Sequence, residues 1–218
     1  MSLSIVHTRV PVGIESLPVT VEVHLANGLP AFNIVGLPEK AVQESRERVR
    51  GALNNSEFEF PTRRITVNLA PADLPKVGSG FDLPIAIGIL AASGQLDKPQ
   101  LDNIDFVGEL ALSGDIRSVN GMLPIALGSQ ANHRQLIFPQ INAAEVSLLR
   151  DLLAYPADSL LAVCAHLNKL SLLEPLPYQT PSDHSLQVAD MAEIKGQEQS
   201  KRAMLIAAAG RHSMLMIG

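Results

Sequence analysis

Residues 61–93 read PTRRITVNLAPADLPKVGSGFDLPIAIGILAAS, and their change of rhythm decides the fold class. Over 64–69 apolar and polar residues alternate, the period of a half-buried strand. PADLPKVGSG then interrupts the pattern with prolines and glycines, the residues that mark turns, and Gly78 and Gly80 are expected to supply a turn through positive φ. In FDLPIAIGILAAS the apolar residues run all the way round a helix, which places that helix in the middle of a core. Asp82 is positioned to cap its amino end, and Pro84 is tolerated in the first turn. A half-exposed strand next to an all-apolar helix is the grammar of an α+β domain.

The same grammar extends in both directions. Val19, Val21, Val23 and Leu25 fall on one face of a strand, with Thr20, Glu22 and His24 on the other, and residues 4–14 supply a strand before it. Asn27-Gly28 signals a turn into a short apolar run at 31–35, so the two runs are predicted to form a hairpin. Residues 39–54 are predicted helical, with Val42, Val49 and Leu53 inside and Glu44 and Arg48 as an i,i+4 pair facing water. Downstream, 105–112 reads as a strand, Gly114-Asp115 as a turn, 122–130 as a helix and 135–138 as a strand. Segments 148–155 and 158–170 complete a domain over residues 1–173 whose sheet is mixed in direction. Pro175, Pro177, Pro181, Ser182 and Asp183 mark residues 174–190 as a linker. Residues 191–218 open a second domain: a turn at Gly196, a helix over 197–209 and a strand over 213–217.

Composition narrows the function. With 218 residues, 46% of them hydrophobic and 18% charged, the chain is able to bury about 70% of its unfolded surface. It has no apolar run of about 18 residues, and its start, MSLSIVHTRV, lacks the apolar stretch of a signal peptide, so a cytoplasmic location away from membranes is expected. Cys164, the single cysteine, lies in LLAVCAHL and reads as core packing rather than chemistry. The histidines show no zinc-ligand spacing, and no metal site is predicted. A net charge of −5 argues against a surface built for blanket phosphate contact, and no Trp with two Tyr leaves few base-stacking candidates. Any nucleic-acid role is therefore local. The candidates are Arg46, Arg48, Arg50, Arg63 and Arg64, whose contacts a ring would multiply. The competing reading is a solvated helix face, because Glu44 and Glu47 are interleaved with them.

Two stretches carry a family resemblance. IKGQEQSKRAMLIAAAGRHSMLMIG, at 194–218, resembles the opening of the ATPase module in the ComM/YifB (magnesium-chelatase-like) AAA+ family, where the strand runs into a phosphate-binding loop. Gly218 matches the first Gly of G-x-x-x-x-G-K-[ST], a loop whose backbone N–H groups cradle phosphates at a helix amino terminus. The resemblance places Ile194, Gly196 and Gln197 beside the adenine ring. It implies that ATP and magnesium are bound by the longer parent protein and that these residues alone do not hydrolyse nucleotide. LPAFNIVGLPEKAVQESRERVRGAL, FPTRRITVNLAPADLPKVGSGFDLPIAIGIL and FVGELALSGDIRSVNGMLPIAL resemble the amino-terminal domain of the same family. That implies the fold of the Lon proteolytic domain, with a left-handed strand-helix-strand crossover, against the general preference.

The resemblance also locates a catalytic question. Lon proteases use a Ser nucleophile activated by a Lys general base, the Ser lying in a loop like P-K-D-G-P-S-A-G. Aligning the P-K-x-G core of residues 75–82 puts Gly80 at the nucleophile position, with Ser79 one residue early. The Lys follows a G-G-L segment, and here Asn120-Gly121-Met122 is followed by Leu123. Both members of the dyad are replaced. Lys76, read as part of an exposed loop, is expected to keep an ordinary amine pKa near 10.4. The family then implies an accessory, non-proteolytic domain of a hexameric, ring-forming motor that acts on branched or single-stranded DNA in recombination. The alternatives are a protein-interaction module and a degenerate Ser-Lys protease.

Overall fold

The computed structural model describes residues 2–97, 100–180 and 190–217. The chain divides into two compact units between Thr180 and Pro181. The first is built on a mixed seven-stranded sheet, as the α+β reading expects. Its strands are β1 (Ser2–Val12), β2 (Glu15–Ala26), β3 (Ala31–Val35), β4 (Arg64–Ala70), β5 (Ile104–Phe106), β8 (Gln135–Pro139) and β9 (Ala154–Ala157), in the order β3-β4-β2-β1-β5-β8-β9. A two-stranded ribbon of β6 (Glu109–Leu110) and β7 (Ile116–Arg117) stands apart from it. Helices α1 (Lys40–Gln43), α2 (Ser45–Asn55), α3 (Asp82–Ser93), α4 (Met122–Ala131), α5 (Ala143–Val146) and α6 (Leu160–Leu167) complete the unit.

β1 and β2 pair antiparallel along their whole length, and β2 pairs antiparallel with β4. The hairpin predicted between 19–25 and 31–35 does not form: β3 lies parallel to β4, and β4 sits between β3 and β2. Side-chain matching explains the choice. Val21, Val23 and Leu25 lie opposite Leu69, Val67 and Ile65, all six fully buried or nearly so, so β4 extends the apolar face of β2 by an unbroken row. Adjacent parallel β3 and β4 are joined through α1 and α2, a strand-helix-strand crossover. Beyond β1, the strands β5, β8 and β9 run parallel.

α3 packs on β1 and β2, and ten of its twelve residues are buried. Gly88 lets the helix approach closely, since a Cβ there would stand 2.5 Å from Val23 Cγ2. Asp82 is not the cap expected of it. The amino end of α3 is served by backbone instead, Asp82 N–H donating to Ser79 O and Leu83 N–H to Gly108 O, and the carboxylate is turned inward. Segment 39–54 breaks into α1 and α2 at Glu44, with Val42, Val49 and Leu53 buried as predicted. Segment 105–112 splits between β5 in the main sheet and β6 in the ribbon. Cys164 is buried in the core, and burial pushes its thiol up to about 12.

Residues 174–180, the first part of the predicted linker, carry no regular element and lie against the first unit; 181–189 are outside the described residues. In the second unit a 3-10 turn over Met191–Glu193 precedes α7 (Glu198–Gly210). None of α7's residues is buried. Residues 213–217, predicted as a strand, form none, because a strand needs a hydrogen-bonding neighbour and the described residues provide no partner for it. No helix among the described residues is long and apolar enough to cross a membrane.

Candidate functional site

The two stretches aligned with a protease dyad come together. Val77–Phe81, ahead of α3, and Val119–Asn120, ahead of α4, line one cavity of about 250 Å³, whose other walls include Pro11, Val107 and Ile125. Gly80 is packed rather than bent. Its φ is not in the left-handed region, and a Cβ there would meet Val107 Cγ1 at 3.2 Å and Val119 Cγ1 at 3.3 Å. Its requirement is therefore space, whereas Gly78, at φ +89° with nothing near its missing side chain, supplies the positive-φ turn. Ser79 is half-buried and lines the cavity.

Lys76 departs from its expected setting. Its side chain is fully buried, its Nζ donates to Pro71 O, and its backbone is fastened on both sides, N–H donating to Leu37 O at 3.3 Å and O accepting from Glu39 N–H at 3.2 Å. The β3–α1 connection folds over the loop and takes the amine out of water, which lowers its pKa, with Asp73 opposing. Among the described contacts it makes no hydrogen bond to Ser79. A hydroxyl without a base in reach is not an activated nucleophile.

The five arginines separate. Arg48 turns inward: Nε donates to Asp82 Oδ2 at 2.6 Å and Nη2 to Oδ1 at 3.0 Å, a bidentate pair in which Asp82 is fully buried. The wet-side pair with Glu44 gives way to this one. Leu110 N–H also donates to Asp82, at 3.1 Å, so one carboxylate ties α2, α3 and β6 together. Burial raises the Asp82 pKa, while Arg48, Ser45 and the Leu110 N–H pull against it; the hydrogen bond to Asp82 raises that of Arg48. Arg46, Arg50, Arg63 and Arg64 are exposed and enter no ion pair among the described residues. Arg46 Nη1 donates to Phe32 O at 3.5 Å, and Arg50 lies over the Phe60 ring at 4.8 Å. Phe60 in turn packs against Phe32, with centroids 5.9 Å apart. Arg64 pairs in register with Ala31, the first residue of the edge strand β3.

A second buried network was not anticipated. Asp105 accepts from Arg134 Nε at 2.7 Å and from Ser129 Oγ at 2.8 Å, with Arg9 Nη1 at 3.6 Å. Arg9 and Asp105 are both buried. An Arg within a strand of mostly apolar neighbours was the available signal, since a buried cation demands a partner. Among the described residues no group of three or more His, Cys, Asp or Glu is placed to hold a metal.

In the second unit, Gly196 (φ +73°) and Gln197 (φ +59°) form the turn at the amino end of α7. Ile194 is exposed and its O accepts from Lys201 Nζ at 3.2 Å. Gly218 lies outside the described residues.

Comparison with known proteins fits this division. Residues 21–142 match the family model described as subunit ChlI of Mg-chelatase, and residues 190–218 match that of magnesium chelatase, subunit ChlI. The first match covers more than half of the chain, which belongs to this ChlI family. Over its whole length it is ComM/YifB-like: it is 50% identical to the competence protein ComM of Haemophilus influenzae, covering 100% of this chain and 44% of that protein. It is 49% identical to the uncharacterized protein YifB of Escherichia coli, covering 100% of this chain and 43% of the relative. An uncharacterized protein of Mycobacterium tuberculosis is 34% identical over 94% of this chain and 41% of its own length. The chain thus spans less than half the length of these relatives.

Proposed function

We propose that the first unit is a Lon-like, non-proteolytic accessory domain of a cytoplasmic, ring-forming AAA+ ATPase that acts on branched or single-stranded DNA during recombination. The observation that carries the non-proteolytic part is the cavity between 77–81 and 119–120, which Gly80 lines where the resemblance puts the nucleophile and which holds no lysine side chain in its walls, the position matched to the base being Leu123. The β3–β4 crossover supports the Lon-like topology, and the left-handed sense belongs to the same reading. Whole-chain similarity to a protein named for competence supports the role in recombination. The chelatase-type match at 190–218 supports the ATPase.

ATP and its magnesium ion would be bound by the wider module, which supplies phosphoryl-transfer chemistry when loaded. Gly196 and Gln197 suit an edge contact with a base, because a positive-φ turn brings backbone close to a ligand. They offer no cationic grip on phosphates. DNA would be held by Arg46, Arg50, Arg63 and Arg64, with Arg48 committed to Asp82. Binding of a labelled four-way junction by the full-length protein, followed by anisotropy, tests this: affinity should weaken with salt and with Arg50→Ala. An assembled ring that leaves the junction unbound removes the DNA reading.

Exposed Leu29, Val35 and Leu37 around the open edge of β3 favour the protein-interaction alternative. Protein partners retained by the full-length protein after nuclease treatment would support it. The degenerate protease is tested by a serine-directed phosphonate, with no labelling of Ser79 expected; labelling abolished by Ser79→Ala would restore that reading.

A further inference from the structure

After α6 the chain doubles back over the first unit, and every third N–H is fastened to it. Leu173 N–H donates to His166 Nδ1 at 3.0 Å, Leu176 N–H to Ala154 O at 2.8 Å and Gln179 N–H to Ser147 O at 2.8 Å. Leu173 and Leu176 pack their side chains against the two hydrophobic clusters of the unit. Arg150 lies 4.8 Å over the Tyr178 ring. The three acceptors are unlike in one respect: two are backbone carbonyls, which accept at any pH, and the third is an imidazole nitrogen, which accepts only while unprotonated.

We propose that residues 173–180 form a strap latched on the first unit, and that protonation of His166 at Nδ1 opens the latch. The His166 ring is held against Tyr155, centroids 4.9 Å apart, so the ring does not swing away to accommodate a new proton. His166 also lines an open cavity of about 760 Å³ that carries Asp97, Asp102 and Lys169, so solvent protons have access to it. The titratable groups that share its cavity are Asp97 and Asp102, ahead of β5, and Lys169, just past the end of α6, while the Tyr155 ring packs on it from β9 and exposed Glu174 follows on the strap. Burial holds the imidazole below its ordinary pKa, so the ring is neutral and the latch closed at neutral pH. The bond stabilises the strap above the ordinary imidazole range and is lost as pH falls through the depressed value. Eight residues released in this way lengthen the tether that leaves the first unit by about 26 Å at full extension.

Residue-resolved NMR on the whole chain between pH 7.5 and 5 tests the proposal. The expected result is a His166 resonance that is the Nε2–H tautomer at pH 7.5 and titrates below the ordinary imidazole value. Exchange of the Leu173 amide, corrected for its intrinsic pH dependence, then speeds up about tenfold with the same midpoint, and Leu176 and Gln179 follow. His166→Asn, whose amide oxygen accepts without titrating, should keep Leu173 protected across the range, and His166→Ala should lose the protection at every pH. Leu173 protection that is indifferent to the His166 titration overturns the latch, as does a His166→Asn protein that loses protection at the wild-type midpoint.

Discussion

Arg48 and Arg50 stand two residues apart on α2 and do opposite work. Arg48 reaches inward to a fully buried carboxylate, whereas Arg50 lies over the Phe60 ring at the surface with no acidic partner among the described residues. In the amino-acid sequence they are two members of one basic cluster. In the structure one is a strut and the other is available. A count of cations thus overstates a binding surface by however many are spoken for inside.

That contrast can be broken from the inside first. Arg48→Ala should cost about 3 kcal/mol in urea unfolding, because it strands a buried carboxylate. The pH dependence has a definite sign: with its folded pKa already raised by burial and the opposing guanidinium gone, Asp82 favours the protonated form still more, so the penalty is greatest at neutral pH and shrinks as pH falls into the carboxylate range. A penalty that grows on acidification would deny the pair its role. Gly88→Ala should cost about 2 kcal/mol by forcing α3 off β2, where a new methyl would press on Val23; a thermal midpoint unchanged by it would mean that the helix has room. On the outside, Arg50→Ala should lose about 0.5–1 kcal/mol of stability with its cation–π contact and several-fold in junction affinity. Arg63→Ala and Arg64→Ala are expected to leave stability within about 0.5 kcal/mol of wild type while each lowers the salt slope of DNA binding by about 0.7–0.9. If Arg48→Lys, which keeps the charge inside, changes the salt slope as much as Arg64→Ala does, the inside–outside division is wrong.

Much of the fold was legible because single faces carry it. The alternation in β2 and β4 and the all-apolar α3 each report local burial, and each was read correctly from periodicity. The strand neighbour was not. Asn27-Gly28 announces a turn but does not say which strand waits beyond it, and β4 begins only at Arg64. The loop at 75–80 was half legible. Glycines mark it, but only the structure distinguishes Gly78, which needs its backbone angle, from Gly80, which needs the room beside Val107 and Val119. Lys76 was misplaced for the same reason, since nothing local says that Leu37 and Glu39 will close over it. Asp82 looked like a cap because it stands at a helix start, and its partner Arg48 lies 34 residues away.

The central place of β1 sets a timetable for folding. One neighbour, β2, follows it immediately, while the other, β5, pairs His7 with Asp105. At about 5–20 residues per second, a ribosome needs several seconds to pass from the first hairpin to the strand that covers β1's far edge. Strands β3-β4-β2-β1 and α3 are complete once residue 93 is made, so a half-sheet can assemble early while one long inner edge waits. Such distant pairings place the domain among the slower, high-contact-order folders, and make that waiting edge the place where a nascent chain is most open to wrong pairing.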